Sequence, residues 1–427
     1  MPKDWNLGII CPIFKKGDIK KVSTYRGISL LDTTYKVLSI AILRRLEMYA
    51  KDIVGEYQCG FKKGKSTTDH IHTLKQLLEK YYEYNRDLHI LFVDFKQAYD
   101  SINREQLRIT LRNFGIPDKL ARLVQMCNEQ TYCKVRFLGE VSTSFECKTG
   151  LRQGDALSPV LFNLALEKIA RSATDTEEMD VIGNHTLLAY ADDIIILGKS
   201  KLDVEERARK LINSSSSMGL VINESKTKYM VMTRNTMTKS NLHVGDLTFE
   251  QVGDFKCYFT MREMFSSKVL SRRTKEHLYC TYMRPVVTYA CETWSSTQGD
   301  EEKLQNFERK ILRKIYGPVY NNELERFERK NENLQQLYNK PSIRHFLIRK
   351  RLEWAGHVWR AEDTLIKKVT ESKITGKRPR GRPRQRWYDR VEKDLKKINP
   401  LLDMGVASDR EKWKGILEAA MVLNGPL

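Results

Sequence analysis

An α+β fold is expected for these 427 residues, and three observations carry that expectation. The apolar run Leu88-His89-Ile90-Leu91-Phe92-Val93 ends in Asp94, which reads as a buried strand delivering a carboxylate at its end. The stretch from Thr186 to Leu197 sets two apolar runs around Ala191-Asp192-Asp193, the pattern of a β-hairpin. Around these strands lie segments with helical signals: 103–114, stopped by Gly115 and Pro117, then 156–173, and 201–218, ended by Gly219. In the second of them Ser158 is a candidate N-cap and Pro159 sits at the first helical position, where its missing N–H costs nothing.

The rest of the chain is placed around that centre. Residues 1–88 mix short apolar runs with basic turns. The loop Gly60-Phe61-Lys62-Lys63-Gly64-Lys65-Ser66 is basic and punctuated by glycine, and after it Ile71, Leu74, Leu77 and Leu78 recur at helical spacing. A further strand is expected from Tyr229 to Thr233, and beyond 265 the chain reads as helical and basic. At this length, with 41% hydrophobic residues, two or three domains can each bury a core.

The formal net charge of +20 calls for an acidic partner, nucleic acid before an acidic membrane surface. No run of 18 apolar residues suggests a spanning helix, and the polar start Met1-Pro2-Lys3-Asp4-Trp5 is unlike a signal peptide, so nucleus and cytoplasm are expected and a membrane is not. The eight cysteines show no C-x-x-C spacing and read as reduced packing residues.

Phosphoryl transfer to a primer hydroxyl uses two divalent ions a few ångströms apart. Magnesium takes only one or two protein carboxylates and fills its shell with phosphate and water. The expected signature is therefore sparse: one Asp at a strand end and another in a tight turn beside it. Asp94 and Asp192-Asp193 fit if strand 88–93 lies beside hairpin 186–197. An Asp-Asp pair in a hairpin is otherwise simply a favourable turn. The flanking runs argue for more, because carboxylates emerging from a buried sheet need a cation or hydrogen bonds to balance them.

Tyr190-Ala191-Asp192-Asp193 resembles the Y-x-D-D box of reverse transcriptases. Phe92-Val93-Asp94-Phe95-Lys96-Gln97-Ala98-Tyr99-Asp100 resembles their first palm motif, and Leu151 to Pro159 the motif between the two. Tyr25 to Leu31, and Gln58-Cys59-Gly60-Phe61 through Thr67, resemble finger motifs of the non-LTR (LINE-type) branch. Gly219 to Asn223 with Lys226-Thr227 resembles the fourth palm motif. The likeness is strong over about residues 1–255 and weaker from about 268 to 397.

The resemblance implies a right-hand polymerase fold. Fingers would span 1–88, a palm with an antiparallel sheet 89–256, a shortened helical thumb 257–340 and a basic nucleic-acid-binding region 341–427. It implies an RNA-directed DNA polymerase of a non-LTR retrotransposon, working on an RNA template, a DNA primer or target and deoxynucleoside triphosphates, with two magnesium ions or manganese in their place. Asp94 and Asp192 would bridge the metals. Asp193 would be a weaker ligand or a local support, and the Phe95 backbone carbonyl a further donor. Tyr99 would close the pocket under the sugar and reject a 2′-hydroxyl, or else be a core aromatic. The branch more often has Phe at that position. Gln153 and Gly154 would line the nucleotide pocket, the glycine allowing close backbone approach. Lys62, Lys63 and Lys65 would grip the triphosphate, although Arg is usual at the first and last of these positions and Lys loses its bidentate fork. Lys226 would give a proton to leaving pyrophosphate, or be a surface lysine. Arg152 would touch nucleic acid or cap a carboxylate. His70, His72 and His357 read as packing or surface residues.

Residues 340–397 hold 19 Lys/Arg against 7 Asp/Glu, a net of +12. Within them Arg378, Arg380, Arg382, Arg384 and Arg386 form a candidate phosphate-binding arm. Arg380-Gly381-Arg382-Pro383 also resembles the core of a minor-groove hook. Trp387 and Tyr388 would stack bases or anchor the next helix. Two departures from the family pattern stand out. Nothing resembles the usual upstream endonuclease, so the chain is not expected to nick its own target. Residues 257–267 replace the Tyr-Leu-Gly primer-grip hairpin and shorten the following helix. That leaves a second reading open, a polymerase relic that binds RNA or DNA with little or no catalysis.

Overall fold

The computed structural model describes residues 1–15, 17–173, 186–235, 240–252, 271–321, 326–328, 330–374, 376–381 and 384–422. The altered segment 257–267 therefore lies outside the described residues. The chain divides into two compact units: Met1–His70, Tyr84–Gly253 and Lys373–Gly376 form one, and Ile71–Glu83, Asp254–Ser372 and Lys377–Leu427 the other. Helix Thr67–Glu83 runs from the first into the second.

The first unit holds strands β1 (Leu7–Phe14), β2 (Tyr25–Leu30), β3 (Leu88–Val93), β4 (Thr131–Phe137), β5 (Glu140–Val141), β6 (Phe145–Cys147), β7 (Leu187–Tyr190), β8 (Asp193–Gly198), β9 (Lys228–Met232), β10 (Leu242–Val244) and β11 (Leu247–Gln251). One sheet runs β2-β1-β4-β5, with β6 also on β4; β1 pairs antiparallel with β2 and parallel with β4. The other runs β10-β11-β9-β3-β8-β7. Its pairings are antiparallel except β11 with β9, so the sheet expected to be antiparallel is mixed at one pairing.

β3 lies in the middle of the second sheet because it has almost nothing polar to show: Leu88, Ile90 and Leu91 are fully buried. Helices Ser158–Ala173 and Lys201–Ser217 belong to the same core, through Phe162, Leu166 and Ile169 from one and Val204, Ala208 and Leu211 from the other. Each of these side chains other than Ala208 contributes about 1.5–3 kcal/mol on burial. The expected helix at 103–114 is Arg104–Asn113, capped by the Asn103 side chain. At the entry to 158–173, Ser158 is not the cap. Its hydroxyl donates to the Arg152 carbonyl, and the Asp155 carboxylate accepts the Leu157 N–H at 3.2 Å.

The second unit is mainly helical among the described residues, with Gln298–Tyr316, Asn331–Tyr338, Ile343–Arg360, Trp387–Ile398 and Arg410–Val422 as its longer elements. One of its cores gathers Tyr279, Ile311, Leu312, Ile315 and Tyr338. Another gathers Leu352, Trp387, Val391, Leu395 and Trp413. No described helix is long and apolar enough to cross a membrane.

Candidate active site

The register of the central sheet brings the carboxylates together. Val93 of β3 faces Ile194 of β8, and Tyr190 faces Asp193 across the two-residue turn Ala191-Asp192. One residue past the last β3–β8 pair, Asp94 comes opposite Asp193. The Asp94 backbone is held from its other side: its N–H donates to Thr227 Oγ1 (3.2 Å) and its carbonyl accepts from the Asn223 N–H (2.8 Å). Phe95 bridges Ile222, and neither of the flanking bonds, Lys96 N–H to Val221 O and Asn223 N–H to Asp94 O, engages the Phe95 carbonyl.

The electrostatics are those of negative charge incompletely answered. Burial, then the neighbouring charges of Asp192 and Asp94, push the Asp193 carboxyl above its usual range, and Lys226 only partly offsets them. Asp94 Oδ2 is buried and accepts no hydrogen bond; the exposed Lys226 ammonium stands 3.4 Å from it. Among the described residues no group of three or more His, Cys, Asp and Glu side chains is disposed to hold a metal ion by itself. A cage is not what magnesium requires. Oxygen donors, a carboxylate oxygen without a hydrogen bond and mutual repulsion relieved by a cation fit a hard divalent ion that keeps water and phosphate in its shell.

Tyr99 lies beside this cluster. Its ring stacks on Phe162 (centroids 4.5 Å apart, planes at 14°), so it is a packed aromatic. Its hydroxyl is buried without a partner, and burial followed by the Asp192 charge pushes its pKa up. The loop from 150 to 154 is tied to the backbone of Tyr99, whose carbonyl accepts the Leu151 N–H (2.7 Å). Gln153 reaches Asp100 at 3.4 Å, and its carbonyl accepts the Ser29 N–H (2.7 Å). Gly154 has φ +115°, and a Cβ there would stand 2.5 Å from the Ser29 carbonyl oxygen. The close approach that demands glycine is thus to strand β2.

Several basic residues are already engaged. Lys62 and Lys65 pair with Glu56 at 3.1 and 2.6 Å. Burial raises the Glu56 pKa, but the two lysines outweigh it and the net shift is downward. Lys63 is exposed. Arg152 does not fit the expected role: it is 5% exposed, donates to the Cys127 carbonyl (2.7 Å) and covers the Tyr35 ring at 4.4 Å, so its guanidinium is spent inside the fold.

In the helical unit the arginine arm is only partly free. Arg386 and Arg378 hold Glu83, the first through Nε–Oε2 at 2.8 Å and the second through Nη1–Oε1 at 2.9 Å, and Arg384 covers the Tyr82 ring. Arg380 is exposed; Arg382 and Pro383 lie outside the described residues, and with them half of the hook-like motif. Trp387 anchors the helix it begins: it is buried, stacks edge-on against His72 at 4.6 Å and donates Nε1–H to the Glu292 carbonyl.

Sequence reasoning missed what holds the carboxylate turn. Residues 57–59 pair alongside β7, with Ala189 N–H to Tyr57 O and Cys59 N–H to Ala189 O, both 2.9 Å. The Gln58 side chain accepts the Ala191 N–H (3.1 Å), and His70 Nε2 donates to the Ala189 carbonyl (2.8 Å). A Cβ on Gly60 would stand 2.3 Å from the Ala191 nitrogen. The only signal in the sequence was the likeness of Gln58-Cys59-Gly60-Phe61 to a finger motif, which carries no role.

Residues 13–277, well over half of the chain, match the family model described as reverse transcriptase (RNA-dependent DNA polymerase). A probable RNA-directed DNA polymerase from transposon X-element of Drosophila melanogaster is 24% identical over 352 residues, covering 74% of this chain and 38% of the relative. The Pol polyprotein of the type-2 retrotransposable element R2DM, from the same fly, is 26% identical over 209 residues, covering 48% and 20%. A solved structure of telomerase from Candida albicans with a fragment of telomeric RNA aligns over all of this chain and 66% of its own at 14% identity and a TM-score of 0.46, too distant to bear on function. The chain thus spans between a fifth and two fifths of the length of these two curated relatives. Its α+β architecture is the right-hand polymerase fold, and the chain belongs to the reverse transcriptase family of metal-dependent polymerases, on the non-LTR retrotransposon branch.

Proposed function

We propose that this chain is an RNA-directed DNA polymerase that extends a DNA primer on an RNA template with deoxynucleoside triphosphates. The observation that carries the reading is the meeting of Asp94 with Asp192-Asp193 at adjacent ends of the central strands, where Asp94 Oδ2 accepts no hydrogen bond and Asp193 is pushed up by its neighbours. Asp94 and Asp192, with Asp193 beside them, would hold two magnesium or manganese ions, which would supply Lewis acidity toward the primer hydroxyl and the transition-state charge. The Phe95 carbonyl is a further oxygen donor at the same strand end.

The chain's own groups do the rest. Tyr99, wedged on Phe162, presents a ring edge that excludes a 2′-hydroxyl. Gln153 and Gly154 shape the nucleotide pocket from a loop anchored to β2. Lys62 and Lys65 meet the triphosphate by exchanging Glu56 for phosphate oxygens. Lys226, close to Asp94, holds a proton available to the leaving pyrophosphate. Residues 1–88 act as fingers, 89–256 as palm, 257–340 as thumb and 341–427 as a nucleic-acid-binding region. Its exposed arginines suit work in the nucleus as well as the cytoplasm.

The experiment is primer extension by purified protein on an RNA template, with and without magnesium. Metal-dependent incorporation of deoxynucleotides is expected. Binding of the template–primer without any extension would overturn the polymerase reading in favour of a nucleic-acid-binding relic.

A further inference from the structure

The turn bearing Asp192 is held in a conformation that its own sequence does not favour. Ala191 has φ +56°, the left-handed region, where an L-residue with a Cβ is strained and persists only when its surroundings impose it. What surrounds it is unusually specific. Gln58 is 1% exposed. Its Oε1 accepts two backbone N–H groups, from Gly60 at 2.7 Å and from Ala191 at 3.1 Å, and its Nε2 points to the Ala191 carbonyl at 3.5 Å. One amide side chain therefore addresses both polar groups of the residue before Asp192. The loop it comes from is itself anchored: the Gly60 carbonyl accepts from Asn163 Nδ2 at 2.8 Å, on helix Ser158–Ala173.

We infer that Gln58 is a positioning residue for polymerisation. Its side-chain amide holds Ala191 left-handed and so sets where Asp192 and Asp193 stand relative to Asp94. A merely architectural glutamine would satisfy buried amides anywhere; this one bonds the peptide next to the carboxylate. Replacing it with an apolar side chain leaves the Ala191 and Gly60 N–H groups buried without acceptors. The turn then relaxes towards an ordinary conformation for alanine and the carboxylates shift. Small displacements of reacting groups cost on the order of a hundredfold in rate.

This inference rests on the polymerase reading, and the test separates the two. Gln58→Met is compared with the unchanged chain for kcat, KM for deoxynucleotide, manganese affinity by electron paramagnetic resonance, and thermal melting. The expected result is kcat per folded molecule lower by roughly ten- to a hundredfold, little change in KM, and weaker manganese binding. Ala191→Gly, which removes the steric objection to a left-handed residue, should shrink the penalty of Gln58→Met. A kcat per folded molecule that is unchanged, or a penalty equally large with and without Ala191→Gly, overturns the inference and leaves the polymerase reading intact. If the unchanged chain does not extend primers, that reading falls and manganese binding alone decides: equal affinity in Gln58→Met overturns the inference, weaker affinity supports it. Should Gln58→Met not fold, Gln58→Asn, one methylene too short to reach both amides, carries the same comparison.

Discussion

In the helical unit, Glu301 and Asp394 are almost wholly buried among arginines. Arg351, itself fully buried, reaches Glu301 at 3.0 Å and Asp394 at 2.5 Å, and Arg390 reaches Glu301 at 2.6 Å. In the sheet unit, Asp94, Asp192 and Asp193 meet with the exposed Lys226 at 3.4 Å from Asp94, and among the described residues no arginine pairs with them. Both regions put several carboxylates close together under partial or full burial. In the first, Arg344, Arg351, Arg390 and Lys397 stand within ion-pair reach and outnumber the two carboxylates, although Glu301 Oε2, like Asp94 Oδ2, accepts no well-formed hydrogen bond. In the second the negative charge exceeds its local answer, and the deficit is what a bound cation would fill. A buried carboxylate is thus read by the charge around it: outnumbered by cations, it is scaffold; left in excess, it is a site.

The sharpest way to break that comparison is Asp192→Asn. An amide keeps the shape and removes the charge, so primer extension should fall by at least about a hundredfold while RNA binding stays nearly unchanged. Melting temperature should hold or rise, because Asp192 is one of the charges that push Asp193 up. Extension at the unmodified rate would mean that the turn is only a turn. Arg351→Met is the mirror experiment. It takes from Glu301 and Asp394 the fully buried arginine they share, leaving them Arg344, Arg390 and Lys397, and should destabilise the helical unit by about 3–5 kcal/mol, read by urea unfolding. A cost below about 1 kcal/mol would show the arginine cluster to be redundant.

Glu79 sharpens the comparison from within the helical unit, as a carboxylate that arginine does not saturate. Burial pushes its pKa up to about 7, against the Trp387 N–H bond and the nearby charges of Lys80 and Arg386. A raised carboxyl binds its proton more tightly folded than unfolded. Its contribution is therefore full below the unfolded value near 4.5 and is lost as pH rises to about 7. Glu79→Gln, which can still accept the Trp387 N–H, should leave melting unchanged at pH 4 and raise it by about 2 °C or more at pH 8. An equal effect at both pH values would remove the titration from the explanation.

The parts of the molecule that were legible in advance are those where local pattern and final environment coincide. β3 and the β7–β8 hairpin are nearly all-apolar runs that meet at carboxylates, and β3 and β8, with little polar to show, take inner places in the sheet while β7 takes its edge. The helix Lys201–Ser217 ends where Gly219 said it would. What was not legible depends on partners far away in the chain. Nothing near Arg386 announces Glu83, and nothing near Arg152 announces Trp5, Tyr35 or Cys127. A basic run was therefore read as free charge when part of it was already paired. The close approach at Gly154 to the Ser29 carbonyl has no local signal either, since Ser29 comes from a strand more than a hundred residues away. The clamp on Ala191 was invisible for the same reason: glutamine's value lies in which amides it meets.

The arginine arm offers the smallest and most discriminating test, because it contains both kinds of charge within seven residues. Arg386 makes a bidentate pair with Glu83, and that carboxyl is held below its usual range mainly by Arg386, with Arg378 adding to the effect against burial. A phosphate must displace Glu83 to reach either arginine. Arg380 is exposed, and among the described residues no ion pair engages it. Each phosphate contact contributes about 0.7–0.9 to the slope of log affinity against log salt. Arg380→Gln should therefore flatten the slope by about that amount with melting unchanged. Arg386→Gln should flatten it less, since Arg386 has to leave Glu83 to bind, and should lower the melting temperature by leaving the buried Glu83 carboxylate with Arg378 alone. Glu83→Gln completes the set: with the competing carboxylate gone, Arg378 and Arg386 become available, and the slope should steepen. Equal slopes for Arg380→Gln and Arg386→Gln would mean that the Glu83 pair opens freely under nucleic acid, and the arm would then count as unsaturated charge along its whole length.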